Sequence, residues 1–210
     1  MDNNVYDTTG GAHLYNGSNV QFVKDRFGKA NSAIRFTDGY YQVPPGVYFK
    51  GDFTISVWIK AIGIVNTGGT IIDFGNGVSS DNVRFIASYQ NEYKPVFYVN
   101  INNYESGVEP SLTLVLGQWT HLVFTLSGST GALYMNGLLI GQGSDLFTPR
   151  NINRTLNYIG KDNWNSFLDG NGNLWADLDD LRFYNRAMSQ AEINYLFLQQ
   201  ASTQASSLNR

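Results

Sequence analysis

The segment Lys161-Asp-Asn-Trp-Asn165 sets an indole among two amides and a carboxylate. That is the chemistry of sugar recognition, in which an aromatic plate packs on the apolar face of a pyranose while fixed amides and carboxylates meet its hydroxyls. Asp162, Asn163, Trp164 and Asn165 are therefore candidate ligand-binding residues, and Trp175 lies between Asn173 and Asp177, where it could border the same end. The competing reading is that Trp164 folds back to cap a sheet edge. A second cluster is Asp177-Leu-Asp179-Asp180. On a strand Asp177 and Asp179 share one face, and two carboxylates about 5 Å apart are the equipment of a retaining glycosidase. Glu occurs only at 92, 105, 109 and 192, none in such a pattern. Asp169-Gly-Asn171-Gly-Asn173, with Asp180 eleven positions beyond Asp169, has the oxygen spacing of an EF-hand loop. Leu174 stands at its sixth position, where that loop needs Gly. The histidines are His13 and His121; the second sits in Trp119-Thr-His-Leu-Val-Phe, where a hydrogen-bonded structural role is expected. With no cysteine and no Gly-x-Ser-x-Gly, acyl transfer has no visible nucleophile.

The elements that must position these residues are strands. In Phe53-Thr-Ile-Ser-Val-Trp-Ile-Lys60, Phe53, Ile55, Val57 and Ile59 fall on one face and Thr54, Ser56, Trp58 and Lys60 on the other. Further strands are expected at 33–36, 40–43, 70–74, 83–89, 95–101, 112–116, 119–126, 132–135, 138–141, 157–160 and 174–184. Asn136-Gly137 is a two-residue hairpin signal. One helix is expected, opened by the capping box Ser189-Gln-Ala-Glu192; the polar stretch 199–210 reads as a tail or linker after a domain spanning 1–198. The chain has 210 residues, 22 of them Gly, with 14% aromatic residues, which suits many short strands and tight turns. Its formal charge of −3 and lack of a basic cluster disfavour nucleic acid and anionic membranes. Membrane insertion is not expected, because no run of 18 apolar residues occurs, and the first ten residues lack the pattern of a signal peptide.

The order of segments then carries a resemblance. Gly28 to Val43 with its Asp38-Gly39 turn, Gly51 to Lys60, Trp119-Thr-His-Leu-Val-Phe-Thr, Tyr134-Met-Asn-Gly137, Tyr158-Ile-Gly-Lys161 and Leu178 to Ile193 follow one another as in laminin-G-like domains of the concanavalin A-like lectin/glucanase superfamily. The resemblance implies an all-β fold, a two-sheet antiparallel jelly-roll sandwich with one short C-terminal helix. It also implies that a Ca²⁺ ion is held between the early Asp-Gly turn and the late acidic strand, by Asp38, Gly39 and Asp179. The plainer expectation for these residues is that Asp38 bonds its own turn and Asp179 satisfies buried amides. The Glu-x-Asp-x-Glu spelling of the laminarinase-like enzymes in the superfamily is missing. The expectation is thus a non-catalytic recognition module of a larger extracellular or cell-surface protein, binding a glycan or glycoprotein with calcium. An adhesive, protein-binding spacer is the alternative, and a glycoside hydrolase ranks third.

Overall fold

The structure is a computed structural model that describes residues 4–63, 69–89, 92–164 and 173–202. Asn165 and the first four residues of the candidate EF-hand loop, 169–172, lie outside the described residues. In chain order the strands are β1 (Tyr15–Val23), β2 (Ala33–Val43), β3 (Phe53–Ala61), β4 (Gly69–Gly75), β5 (Val83–Tyr89), β6 (Lys94–Ile101), β7 (Tyr104–Val108), β8 (Trp119–Ser127), β9 (Thr130–Met135), β10 (Leu138–Gly143), β11 (Leu156–Ile159) and β12 (Leu174–Tyr184), followed by helix α1 (Gln190–Ser202).

All pairings are antiparallel, and the path runs β10-β9-β8-β3-β12-β2-β11-β4-β5-β6-β7, with β1 laid against β2. The long strand β2 joins two layers. Its residues 34–39 pair with β12 in the first layer, and residues 41–43 pair with β11 in the second. The bend falls at Asp38, whose φ is +58°, and Gly39. Gly39 is required there because a Cβ would lie 2.7 Å from the Ser18 carbonyl oxygen of β1. The layers face each other through their apolar positions, and Phe97 of β6 stacks on Phe124 of β8 with ring centroids 3.5 Å apart. Ile55, Val57, Ile59, Leu122, Leu133 and Leu178 fill the core from one side, and Ile72, Phe74, Val83, Phe85 and Val99 from the other. The sheet ends approach one another at β7 and β10, where a Cβ on Gly141 would sit 3.0 Å from Val108 Cγ1.

The outer faces of the layers differ in what covers them. On the first layer, α1 lies over Trp58, His121, Val123 and Tyr134 and inserts Ile193 and Phe197. Its start is the expected capping box: Glu192 Oε2 accepts from Ser189 N at 2.8 Å, and Glu192 N donates to Ser189 Oγ at 3.3 Å. The helix runs on to Ser202, beyond the expected end, because Gln200 is buried and accepts a hydrogen bond from Trp58 Nε1 at 2.8 Å. The Asn136-Gly137 hairpin has positive φ at both residues, +50° and +82°. The segment 112–116 is not a strand: Leu114 alone plugs the core, donating its N–H to the Tyr93 carbonyl, while Leu112, Val115 and Leu116 are exposed. Among the described residues no helix is long and apolar enough to cross a membrane.

Candidate functional site

On the second layer the outer face is polar. The register places Tyr158 of β11 opposite Asp73 of β4, Asp73 opposite Arg84 of β5, Arg84 opposite Tyr98 of β6, and Tyr98 opposite Gly107 of β7. Residues opposite one another in a ladder point to the same face, so Asp73 and Arg84 project side by side from strands whose inward positions are apolar. Gly107 leaves space for the Tyr98 ring, because a Cβ there would lie 2.8 Å from Tyr98 Cε1. The Tyr98 hydroxyl donates to Glu109 Oε1 at 2.5 Å; burial and this carboxylate push the phenol upward. One turn of the pleat away are Asn82, Asn100 and Glu105.

These side chains form two hydrogen-bonded groups, one on Asp73 and one on Glu105, with Arg84 acting on Asp73 through its charge. Asn82 Nδ2 donates to Asp73 Oδ1 at 2.8 Å, Asn100 Nδ2 donates to Glu105 Oε2 at 3.0 Å, and Arg84 Nη1 reaches the same glutamate oxygen at 3.3 Å. The loop after β11 closes over them. The Asn163 backbone N–H donates to Asp73 Oδ2 at 2.8 Å, and Asn163 Nδ2 donates to the Leu156 carbonyl at 3.0 Å. Asp162 Oδ1 accepts from the Trp164 backbone N–H at 3.1 Å, an Asx turn that aims the indole inward. The Arg84 guanidinium carbon then lies 4.0 Å from the centre of the half-buried Trp164 ring. Lys161, on the same loop, points its ammonium at Tyr40 and Tyr158, 4.9 and 5.1 Å from the ring centres.

The site is buried and charged. Arg84 is 3% exposed, Asp162 2%, Asn100 3%, and Asp73 and Asn82 0%. Burial and the neighbouring Asp73 carboxylate push Asp162 up to about 7, with Arg84 opposing; burial also raises Asp73. Five buried polar atoms here have no hydrogen-bond partner among the described residues: Asn82 Oδ1, Arg84 Nε, Arg84 Nη2, Asn100 Oδ1 and Asp162 Oδ2. An orphaned buried donor or acceptor costs about 1–3 kcal/mol, so five gathered without partners among the described residues mark a polar cluster whose hydrogen-bonding capacity is unspent there.

Of the sequence-derived ligand residues, the structure brings Asp162, Asn163 and Trp164 together at this cluster, and Asn165 lies outside the described residues. The sequence reading missed Asp73, Asn82, Arg84, Asn100 and Glu105. Their signal was a charged residue breaking an apolar strand, Asp73 after Thr-Ile-Ile and Arg84 after Val83, but only the strand order reveals that they meet.

The residues expected to hold calcium are not brought together. Gly39 pairs with Leu174, whereas Asp179 lies five positions further along β12, about 16 Å at the usual rise of a strand. Asp38 is exposed, and its carbonyl accepts from Asn19 and Asn173 side chains at 3.4 Å. Asp179 already has a cation. Arg26 binds it through Nη1 and binds Asp180 through Nη2 at 2.8 Å, and the guanidinium lies 4.8 Å from the Trp58 ring centre. Asp38, Gly39 and Asp179 therefore do not fit one calcium ion, which needs six to eight oxygens within 2.6 Å. Among the described residues no group of three or more His, Asp or Glu side chains is arranged to hold a metal. Asp177 is likewise engaged, by Arg35 at 2.7 and 3.0 Å and Lys60 at 2.7 Å. His121 is fully buried between Trp58 and Phe197, 2.8 Å from Ser56 Oγ, and burial followed by Arg26 pushes it down to about 4. A helix lies above this Ser-His pair, and among the described residues no acid hydrogen-bonds His121 Nδ1.

A bent two-layer antiparallel sandwich with one outer face capped by a helix defines a concanavalin A-like fold. Residues 35–194 match the family model of the concanavalin A-like lectin/glucanases superfamily, and the chain belongs to that family. Comparison with the curated proteins finds none that matches. Among solved structures, domain 4 of an extracellular arabinanase from Geobacillus stearothermophilus, in complex with arabinotriose, superposes with a TM-score of 0.72 at 16% identity. That match covers 92% of this chain and 93% of the other. The binding domain of Paraclostridial Mosquitocidal Protein 1 gives 0.71 at 21% identity, covering 96% and 51%. The botulinum neurotoxin serotype G binding domain gives 0.64 at 17%, covering 94% and 49%. The chain thus spans about half the length of these toxin binding domains. At such identities the likeness establishes the fold alone.

Proposed function

We propose that the chain is a non-catalytic carbohydrate-binding module of a larger extracellular or cell-surface protein, and that it binds its glycan at the Trp164-Arg84 face. The observation that carries this reading is the group of five buried polar atoms without partners among the described residues, gathered under a partly exposed indole. Sugars offer both halves of what this surface lacks, an apolar C–H face for the ring and hydroxyls that donate and accept at once. The arabinotriose-bound neighbour supports the reading at the level of fold. Hydrolysis is not part of it, since Asp177 and Asp179 are committed to Arg35, Lys60 and Arg26. Calcium held by Asp38, Gly39 and Asp179 together is not part of it, because those residues stand apart along β12.

The test is a glycan array followed by titration calorimetry on the hit, for the wild type and Trp164→Ala. The reading expects millimolar or tighter binding that falls at least tenfold in the variant with the melting temperature nearly unchanged. Silence across the array, or binding indifferent to Trp164, overturns it.

A further inference from the structure

The unpartnered atoms say more than that a sugar binds; they describe its chemistry, an inference that rests on the proposed function above. Nε and Nη2 form the edge of a guanidinium that grips two oxygens side by side. In this chain the same edge of Arg35 holds Asp177 at 2.7 and 3.0 Å, and that of Arg150 holds Asp81 at 2.5 and 2.6 Å. In Arg84 this edge is buried and free among the described residues, while Nη1 faces Glu105. Two oxygens belong there, and two classes of sugar supply them: a carboxylate, as in uronic and sialic acids, or two adjacent hydroxyls.

Charge and valence decide between the classes. The groups facing the guanidinium are Asp73 from β4, Glu105 from β7 and Asp162 from the loop, so its single positive charge is already matched by acidic groups. Lys161 on the same loop is turned to Tyr40 and Tyr158. An incoming carboxylate would add a further negative charge to a buried site, which low local dielectric makes costly. The carboxylate itself also brings no proton to Asn82 Oδ1, Asn100 Oδ1 or Asp162 Oδ2, because an ionised carboxylate donates nothing. Two hydroxyls serve both kinds of group: each oxygen accepts from the Arg84 edge, and the two O–H groups donate to two of those three acceptors.

We propose that the site reads a vicinal diol of a neutral sugar, its two oxygens on Arg84 Nε and Nη2, its two protons directed to two of the Asp162, Asn82 and Asn100 oxygens, and its ring against Trp164. Binding slides the indole off the guanidinium and onto the sugar. The site therefore prefers neutral sugars over their acidic counterparts, and a blocked diol is rejected.

The experiment takes the neutral glycan found on the array and compares it, by titration with the whole chain, with its diol O-methylated form, with galacturonic acid and with N-acetylneuraminic acid. The expected result is loss of at least tenfold in affinity on O-methylation, the scale of one to two lost hydrogen bonds, and weaker binding of both acids. Arg84→Lys, which keeps the charge and removes the two-pronged edge, should lose the diol preference while its melting curve reports that it folds. Tighter binding of either acid, abolished in Arg84→Gln, overturns the diol reading and leaves carbohydrate binding standing; equal binding of the methylated and free diols also overturns it. If no sugar of any class binds, the five atoms are served by water only and the underlying function falls with it.

Discussion

Gly75 offers a way to empty the site without touching it. The residue ends β4 on the face that carries Asp73, and a Cβ built there would lie 2.8 Å from Asn82 Cγ and 3.3 Å from Asn82 Cα. In Gly75→Ala the Asn82 side chain must turn away, breaking its 2.8 Å bond to Asp73 Oδ1 and leaving a fully buried carboxylate oxygen unpaired. Such an orphan costs about 1–3 kcal/mol, partly offset by the 0.4–1 kcal/mol that Gly→Ala gains through the unfolded chain. The net is a loss of about 0–2.6 kcal/mol, centred on ~1 kcal/mol, which in a domain of this size lowers the melting temperature by roughly 2–4 °C at that centre. The assay is a thermal and urea double-mutant cycle with Asn82→Ala, read alongside sugar titration. Once Asn82 is gone the methyl has much less to displace, so Gly75→Ala should cost little in that background, giving a coupling of about 1 kcal/mol or more. Sugar binding should fall in both single variants. A Gly75→Ala protein as stable as the wild type, with no coupling and undiminished binding, would refute the placement of Asn82.

The buried His121 makes the helix-covered face sensitive to acid. Its folded pKa, pushed down to about 4, lies below the unfolded value near 6.5, so its contribution is complete above pH 6.5 and is lost as pH falls toward 4. Asp162, raised to about 7, acts in the opposite sense, favouring the folded state as pH falls through 7. The stability difference between wild type and His121→Gln cancels the aspartate and should shrink by about 3 kcal/mol between pH 7 and pH 4 in urea titrations; a constant difference would contradict the burial. Asp179→Asn should loosen the Arg26 clamp and lower the melting temperature by several degrees, while any shift caused by added calcium stays the same as in the wild type. A calcium-dependent rise present in the wild type and absent from the variant would restore the metal pair. Gly39→Ala should unfold the β2 bend, since its Cβ would strike the Ser18 carbonyl at 2.7 Å; a well-folded variant by circular dichroism would count against that crossing.

Most of the scaffold was legible in the sequence because its strands alternate cleanly. In β3, Phe53 to Lys60 announces its two faces, and Asn136-Gly137 and Ser189 to Glu192 announce a turn and a cap by their own local chemistry. The two strands that went unread lack that alternation. In β1, Asn16 and Asn19 have positive φ and shift the register, and in β7, Tyr104-Glu-Ser-Gly-Val has one buried residue. The sequence expectation split β2 at the Asp38-Gly39 turn, whereas the structure bends a single strand there. The loop half of the candidate site was readable, since Asp162, Asn163 and Trp164 combine amides and an indole within three residues. Its floor was not, because Asp73, Arg84 and Glu105 are distant in the chain and become neighbours only through the β4-β5-β6-β7 order. The implied calcium ligand set does not assemble for the same reason: resemblance supplied the residue types, and the register puts Asp179 far along β12 from Gly39.

The most direct measurement is a nitrogen-proton correlation spectrum of the labelled chain during titration with the neutral glycan selected on the array, with the side-chain signals of Trp164 Nε1 and Arg84 Nε assigned through single variants. The account predicts that these two signals move together and saturate with the calorimetric affinity. A saturating titration in which both stay fixed while signals near Tyr40, Tyr158 or α1 move would contradict it.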